Sequence, residues 1–195
     1  MELSKRVLPA AFYGRSPEVV ARDLLGKILL RVLDGDRLGG IVAETEAYYG
    51  LGDPASRAFR GKKKYNSLMW DEPGCLFVYN VHKYWMLNVI AHEPGGVGGV
   101  LFRAIEPTTG VRMMRRFRPF ADDSELTSGP GKLSLALCVT RELNGYFATD
   151  PDSPVHIIDA PCVIEYCTSH RIGVTRDLPE ELRFYVSGNR FVSRG

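Results

Sequence analysis

Chemistry-bearing side chains crowd one stretch of the chain, Ile41-Val-Ala-Glu-Thr-Glu-Ala-Tyr-Tyr49. Its β-branched residues and period of two predict a strand. Val42, Glu44, Glu46 and Tyr48 would then share one face, and Ile41, Ala43, Thr45 and Ala47 the other. Glu44 and Glu46 would stand roughly 6.6–6.8 Å apart at Cα. Buried together, two such carboxylates push their proton affinities apart, the condition for general acid–base work at neutral pH. The bland alternative is an edge strand with both glutamates in water. A second signal is Arg103, set in the apolar run Val100–Ile105. A guanidinium there needs an acidic partner, and a glutamate of the first stretch is the candidate. A third is His82-Lys83 between two strand patterns, Cys75–Val81 and Tyr84–Ala91. A two-residue hairpin tip usually takes Gly or Asn, so His and Lys there read as a probe or as a strained, passive turn.

Other elements must position these groups. Ser16-Pro17-Glu18 opens a helix with an N-cap, a proline at the first position and an acid on the dipole, and Val19, Val20, Leu24 and Leu25 give it an apolar stripe that Gly26 ends. Lys27–Leu33 reads as a strand, and Asp34-Gly35-Asp36 as the turn that pairs it with the glutamate strand. Gly50–Gly61 reads as a loop with one helical turn at Pro54–Phe59, followed by Lys62-Lys63-Lys64, a triplet that is either solvated or a phosphate grip. Val111–Phe117 reads as a helix with Arg112, Arg115 and Arg116 on one face. Ser128-Gly-Pro-Gly-Lys132 leads into an apolar helix over Leu133–Val139, whose N-terminus with Lys132 could hold a phosphate. Gly95–Gly99 lacks the Lys-Ser/Thr of a phosphate loop and is set aside. Short strands follow at Val155–Ile158, Val163–Cys167 and Leu182–Val186.

The chain has 195 residues, which suits one domain over 1–195 with a full core. With 25 basic and 23 acidic residues the net charge is +2, which neither demands nor excludes a polyanionic partner. Cys75, Cys138, Cys162 and Cys167 form no CxxC pair and read as buried thiols in a reducing compartment. No apolar run approaches about 18 residues and no signal-peptide core follows Met1, so the protein is expected to be soluble and intracellular.

Several stretches together resemble the alkyladenine (3-methyladenine) DNA glycosylases of the mammalian type. They are Glu44-Thr-Glu-Ala-Tyr48, Pro73-Gly-Cys-Leu-Phe-Val-Tyr79, Leu101-Phe-Arg-Ala-Ile-Glu-Pro107, Ser128-Gly-Pro130 with Lys132-Leu133, and Leu182-Arg-Phe-Tyr-Val186. Their order and spacing span nearly the whole chain. The resemblance implies an α/β (α+β) single domain, a curved antiparallel sheet surrounded by helices with a projecting β-hairpin. It implies a monofunctional, base-flipping enzyme that hydrolyses the N-glycosidic bond of hypoxanthine, ethenoadenine or 3-methyladenine in double-stranded DNA. No cofactor and no metal are expected, nor a membrane, and the expected state is a monomer in the cytoplasm, nucleoid or nucleus.

By the same resemblance, Glu46 would activate water, held also by Arg103 and the Ile172 carbonyl. Tyr48 and Tyr79 would sandwich the flipped base, Asn88 would line the pocket, and His82 would fill the gap left in the duplex. Lys83, Lys132, Arg112 and Arg115 are the expected DNA contacts. Two departures stand out. Arg57 occupies the place where the family commonly has a histidine against the base, and the hairpin is one residue shorter, with Lys83 where the family usually has glycine. The chemistry suits the residues. A base in a duplex must leave the stack to be reached, and aromatic stacking is worth about 1–3 kcal/mol per base. A cationic alkylated purine leaves without an acid, so one carboxylate serves as base and steadies the sugar cation. No lysine stands on the glutamate strand to form a Schiff base. Two other readings remain: a non-catalytic nucleic-acid-binding module of the formyltransferase C-terminal type, and a carbohydrate glycosidase using Glu44 and Glu46.

Overall fold

The computed structural model describes residues 6–160 and 164–194. Helix α1 (Ala10–Tyr13) precedes α2 (Pro17–Asp23), which begins as its sequence predicts: the Ser16 side chain accepts from the Val19 N–H, and Pro17 and Glu18 fill the first turn. Strands β1 (Ile28–Leu33) and β2 (Asp36–Tyr48) form a hairpin closed by Leu33 opposite Asp36. Asp34 (φ 49°) and Gly35 (φ 85°) supply the left-handed pair that such a turn requires.

β2 is the spine of the sheet. Along one edge it pairs antiparallel with β5 (Gly99–Thr109). Along the other it pairs first with β1 and then, from Glu44 to Glu46, with β8 (Arg183–Val186). The hairpin β3 (Leu76–Val81) and β4 (Tyr84–Ile90) adds to β5, β6 (Val155–Ile158) adds to β1, and β7 (Tyr166–Ser169) adds to β8. All pairings are antiparallel, and the eight strands curl into a half-barrel. Helices α3 (Val111–Phe117) and α4 (Pro130–Ala136) complete the α+β unit. The main apolar cluster joins α2, the sheet and α4 through Val20, Leu24, Leu76, Phe102 and Leu133. A smaller one, Ala58, Met69, Cys75, Phe77 and Ile90, lies under the segment after β2.

Strict alternation fails in the middle of β2. The register with β5 slips between Val42 and Glu44 and again between Glu44 and Thr45, leaving Ala43 on β2 and Arg103 on β5 outside the pairing. Val42 therefore lies in the main core with Ala47 rather than on the glutamate face. Such bulges re-aim side chains beside functional sites, and here the re-aimed one is Arg103. The edge-strand alternative is excluded: β2 is paired along both edges, and Glu44 and Glu46 are wholly buried.

Other expectations need correction. Pro54–Phe59 holds no helical turn but a chain of single turns, with Ser56 N–H donating to the Asp53 carbonyl and Phe59 N–H to that of Ser56. An unforeseen 3-10 helix spans Lys64–Trp70. α4 starts at Pro130 rather than Leu133, the proline taking the first helical position it suits. Cys75 is buried, but Cys138 is half-buried and Cys167 exposed, because Tyr166 and Cys167 lie on the open strand β7. Cys162 and Val163 lie outside the described residues.

Candidate active site

A cleft of about 1020 Å³ opens over the C-terminal end of β2. Tyr48 from β2, Tyr79 and His82 from the β3–β4 hairpin, Arg103 from β5, Lys132 from α4, Arg57 and Ile172 all line it. Glu46 sits beneath, without exposed surface. Its Oε1 accepts from the Ile172 N–H at 2.8 Å and lies 3.1 Å from the Arg103 Nη1. Its Oε2 accepts from the Tyr48 hydroxyl at 2.7 Å. A carboxylate offers about four lone-pair directions, so one direction on Oε2 is left for a water or a substrate.

Glu44 differs in kind. Arg103 Nε, Arg183 Nε and the Ser193 hydroxyl all donate to its Oε1, at 2.8, 2.7 and 2.7 Å, and the Ser193 N–H to its Oε2 at 2.7 Å. Against the three contacts on Glu46, four donors thus hold Glu44. Burial alone would raise its pKa, but Arg103, the Ser193 N–H and Arg183 outweigh burial and hold it below the usual carboxylate range. Burial wins at Glu46: the carboxyl is pushed up, opposed by Arg103, the Ile172 N–H and the Tyr48 hydroxyl and reinforced by the charge of Glu44. Burial also raises the Tyr48 phenol, and Glu46 raises it further, so Tyr48 stays a donor. The four protein donors on Glu44, two of them guanidinium groups, argue against a two-carboxylate glycosidase, whose second carboxylate must meet a sugar or a water.

Each of the two tyrosines has a cation against its ring. The Arg57 guanidinium lies 4.7 Å from the centre of the Tyr79 ring. Among the described residues it has no carboxylate partner. Asp53, its nearest acid in sequence, is instead gripped by Arg171 through two bonds of 2.6 and 2.7 Å. Arg171 lies 4.6 Å from the centre of the Tyr48 ring and does not line the cleft, so it covers the ring's far face.

Of the residues expected in the site, Glu46, Tyr48, Tyr79, Arg57, Arg103, Ile172, His82 and Lys132 are brought together. Lys83 is exposed beside the Tyr84 ring and does not line the cleft. Asn88 is buried, its amide donating to the Phe77 and Met86 carbonyls of its own hairpin, and it is not a lining residue. Arg112 and Arg115 are also apart, because α3 follows Gly110, which packs on Arg37 and Leu38 at the far end of β2. Roughly 26 Å of strand separates Leu38 from Glu46. Arg115 pairs with Asp123, and Lys132 with Glu125. Sequence reasoning missed Arg171, Asp53, Asp177, Arg183 and Ser193. The signal for Arg171 was its place beside Ile172; Ser193 carried none.

Comparison with known proteins bears on the same residues. A family model described as methylpurine-DNA glycosylase (MPG) matches residues 11–190. Several relatives bear the name "Putative 3-methyladenine DNA glycosylase". One from Aeropyrum pernix is 41% identical, covering 97% of this chain and 94% of its own. One from Koribacter versatilis is 40% identical over 95% and 92%, and one from Bacillus subtilis 38% identical over the full length of both.

Proposed function

Because this chain belongs to the methylpurine-DNA glycosylase family, we propose that it removes damaged purines from duplex DNA by flipping them into the cleft and hydrolysing the N-glycosidic bond. The observation that carries this reading is Glu46: a buried carboxyl with raised pKa, one free lone-pair direction, and two tyrosines above it. Glu46 takes the proton of the attacking water, and its charge steadies the oxocarbenium-like sugar as the base departs. Arg103 and the Ile172 N–H hold Oε1, which leaves Oε2 to the water. The Ile172 carbonyl helps to hold that water. Tyr48 and Tyr79 stack on the flipped base. His82, at the hairpin tip on the cleft rim, fills the vacated space in the duplex, and Lys132 meets a phosphate. Hypoxanthine, ethenoadenine and 3-methyladenine are the candidate lesions.

The test is release of free base from a duplex carrying one hypoxanthine or one ethenoadenine, under single-turnover conditions. Wild type should release it, and Glu46→Gln should be slower by about 10²–10⁴-fold with duplex binding retained. Binding without release by wild type on any of the three lesions would leave a nucleic-acid-binding module instead.

A further inference from the structure

The loop Arg171–Arg176 between β7 and β8 delivers the one main-chain donor that Glu46 receives among the described residues. Among the described residues, no main-chain hydrogen bond ties Arg171–Asp177 to another segment of the chain. Side chains do it instead. Arg171 donates through Nη1 to the Ala47 carbonyl at 2.9 Å, through Nη1 and Nη2 to Asp53, and through Nε and Nη2 to Asp177 at 2.8 and 2.5 Å. Asp177 returns two bonds to the loop's main chain, accepting from the Arg171 and Leu178 N–H groups. The Arg171 and Asp53 side chains are wholly buried. One guanidinium thus ties β2, the turn after β2, and the loop that carries Ile172, while its plane lies against Tyr48.

We infer that Arg171 is a positioning residue for base excision: it registers the Ile172 N–H on Glu46 Oε1 and braces Tyr48 from behind. The inference rests on Glu46 being the base. A planar fork is needed, because two carboxylates and a carbonyl are met in fixed directions at once. A lysine keeps the charge but not those directions.

The consequence is a pH signature. The groups facing Glu46 are Arg103 of β5, Glu44 and Tyr48 of β2, Tyr79 of β3, and the Ile172 N–H. Arg183, opposite Glu46 on β8, spends its guanidinium on Glu44, Ser169 and Ser193. Of the donors that favour ionised Glu46, the Ile172 N–H is carried by the Arg171 loop and the Tyr48 hydroxyl by the ring that Arg171 braces. Loosening that loop removes a donor from the ionised form, so a higher pH is needed to reach the active base.

The experiment compares wild type, Arg171→Lys and Asp177→Asn in single-turnover excision of one lesion from pH 5 to 9, with duplex affinity measured in parallel. Arg171→Lys should lose about 10–100-fold in rate at neutral pH. Its acid limb should move to higher pH while duplex affinity is retained. Asp177→Asn, which removes only the outer anchor, should move the limb the same way but less, and it carries the test if the lysine variant does not fold. A merely structural role lowers the active fraction and leaves the limb in place, and that result overturns the inference. Failure of wild type to release any base would overturn the glycosylase mechanism instead.

Discussion

Glu44 and Glu46 are two residues apart on one strand, yet the protein treats their charges oppositely. The folded state favours ionised Glu44, whose lowered pKa contributes stability above the unfolded carboxylate value and loses it as pH falls through the folded one. The folded state disfavours ionised Glu46, so that charge costs stability at neutral pH. Substitution by the neutral isostere should therefore act with opposite signs. Glu44→Gln should lower unfolding free energy by about 3–5 kcal/mol, the scale of breaking a buried ion pair, and leave a measurable excision rate in whatever remains folded. Glu46→Gln should match or exceed the wild-type melting temperature at pH 7 while losing activity. Thermal melts at pH 7 with excision rates decide it; the reverse ranking would make Glu44 the base. Arg57 belongs to the same scale. An exposed, uncompensated cation on the Tyr79 ring competes with a cationic base for that ring and leaves a neutral one undisturbed. Hypoxanthine should be excised in preference to 7-methylguanine, and Arg57→Gln should narrow the gap severalfold; an unchanged ratio of the two rates would refute this. Residue types made Glu46, Tyr48 and Arg103 legible in the sequence. That Arg103 bridges both glutamates was not, since partner choice depends on a register slip no local pattern encodes. Asn88 misled for a similar reason: its amide is spent within the hairpin.

The β3–β4 hairpin is the element most open to test. His82 begins its two-residue turn at φ 53°, a left-handed conformation that glycine adopts freely and histidine does not. His82→Gly should therefore keep the turn and remove only the side chain. Flipping should weaken by a few kcal/mol at most, the scale of unstacking a step, seen as lower affinity and slower excision on a lesion duplex with little change on undamaged DNA. Behaviour like wild type for His82→Gly, with a large defect for Lys83→Ala, would move the wedge by one position. The hairpin, the β1–β2 turn and α2 were readable because each is written in local chemistry: alternation, Asp-Gly, and Ser-Pro-Glu. The bulge at Ala43 and Arg103 was not, because it exists only where two distant strands meet.

Across the whole molecule, a net charge of +2 conceals an uneven distribution. Arg57, Arg60, Lys132 and Arg176 line the cleft, while Arg112 and Arg115 of α3 lie at the opposite end of β2. The sequence reading grouped Lys132 with Arg112 and Arg115 as DNA contacts, because helix-face periodicity gives the two arginines a shared face but not its direction. Lys132→Ala should reduce the slope of log affinity against log salt by about one, and Arg112→Ala should leave it unchanged. Titrating an undamaged duplex at several salt concentrations measures both, and the opposite ranking would lay DNA across α3.

The pinning of Glu44 also has a history in time. Its partners in Ser193 lie 149 residues further along the chain, and Arg183 lies 139 further. At about 5–20 residues per second, a ribosome needs roughly 7–30 s to travel from the carboxylate to the groups that receive it. Until Arg183 is made, Arg103 is the only one of its four donors in existence, and it too comes 59 residues after Glu44. An under-compensated carboxylate resists burial, so the middle of the sheet stays open until synthesis is nearly past Ser193. The strand that will carry the catalytic base is among the first made and among the last to be closed in.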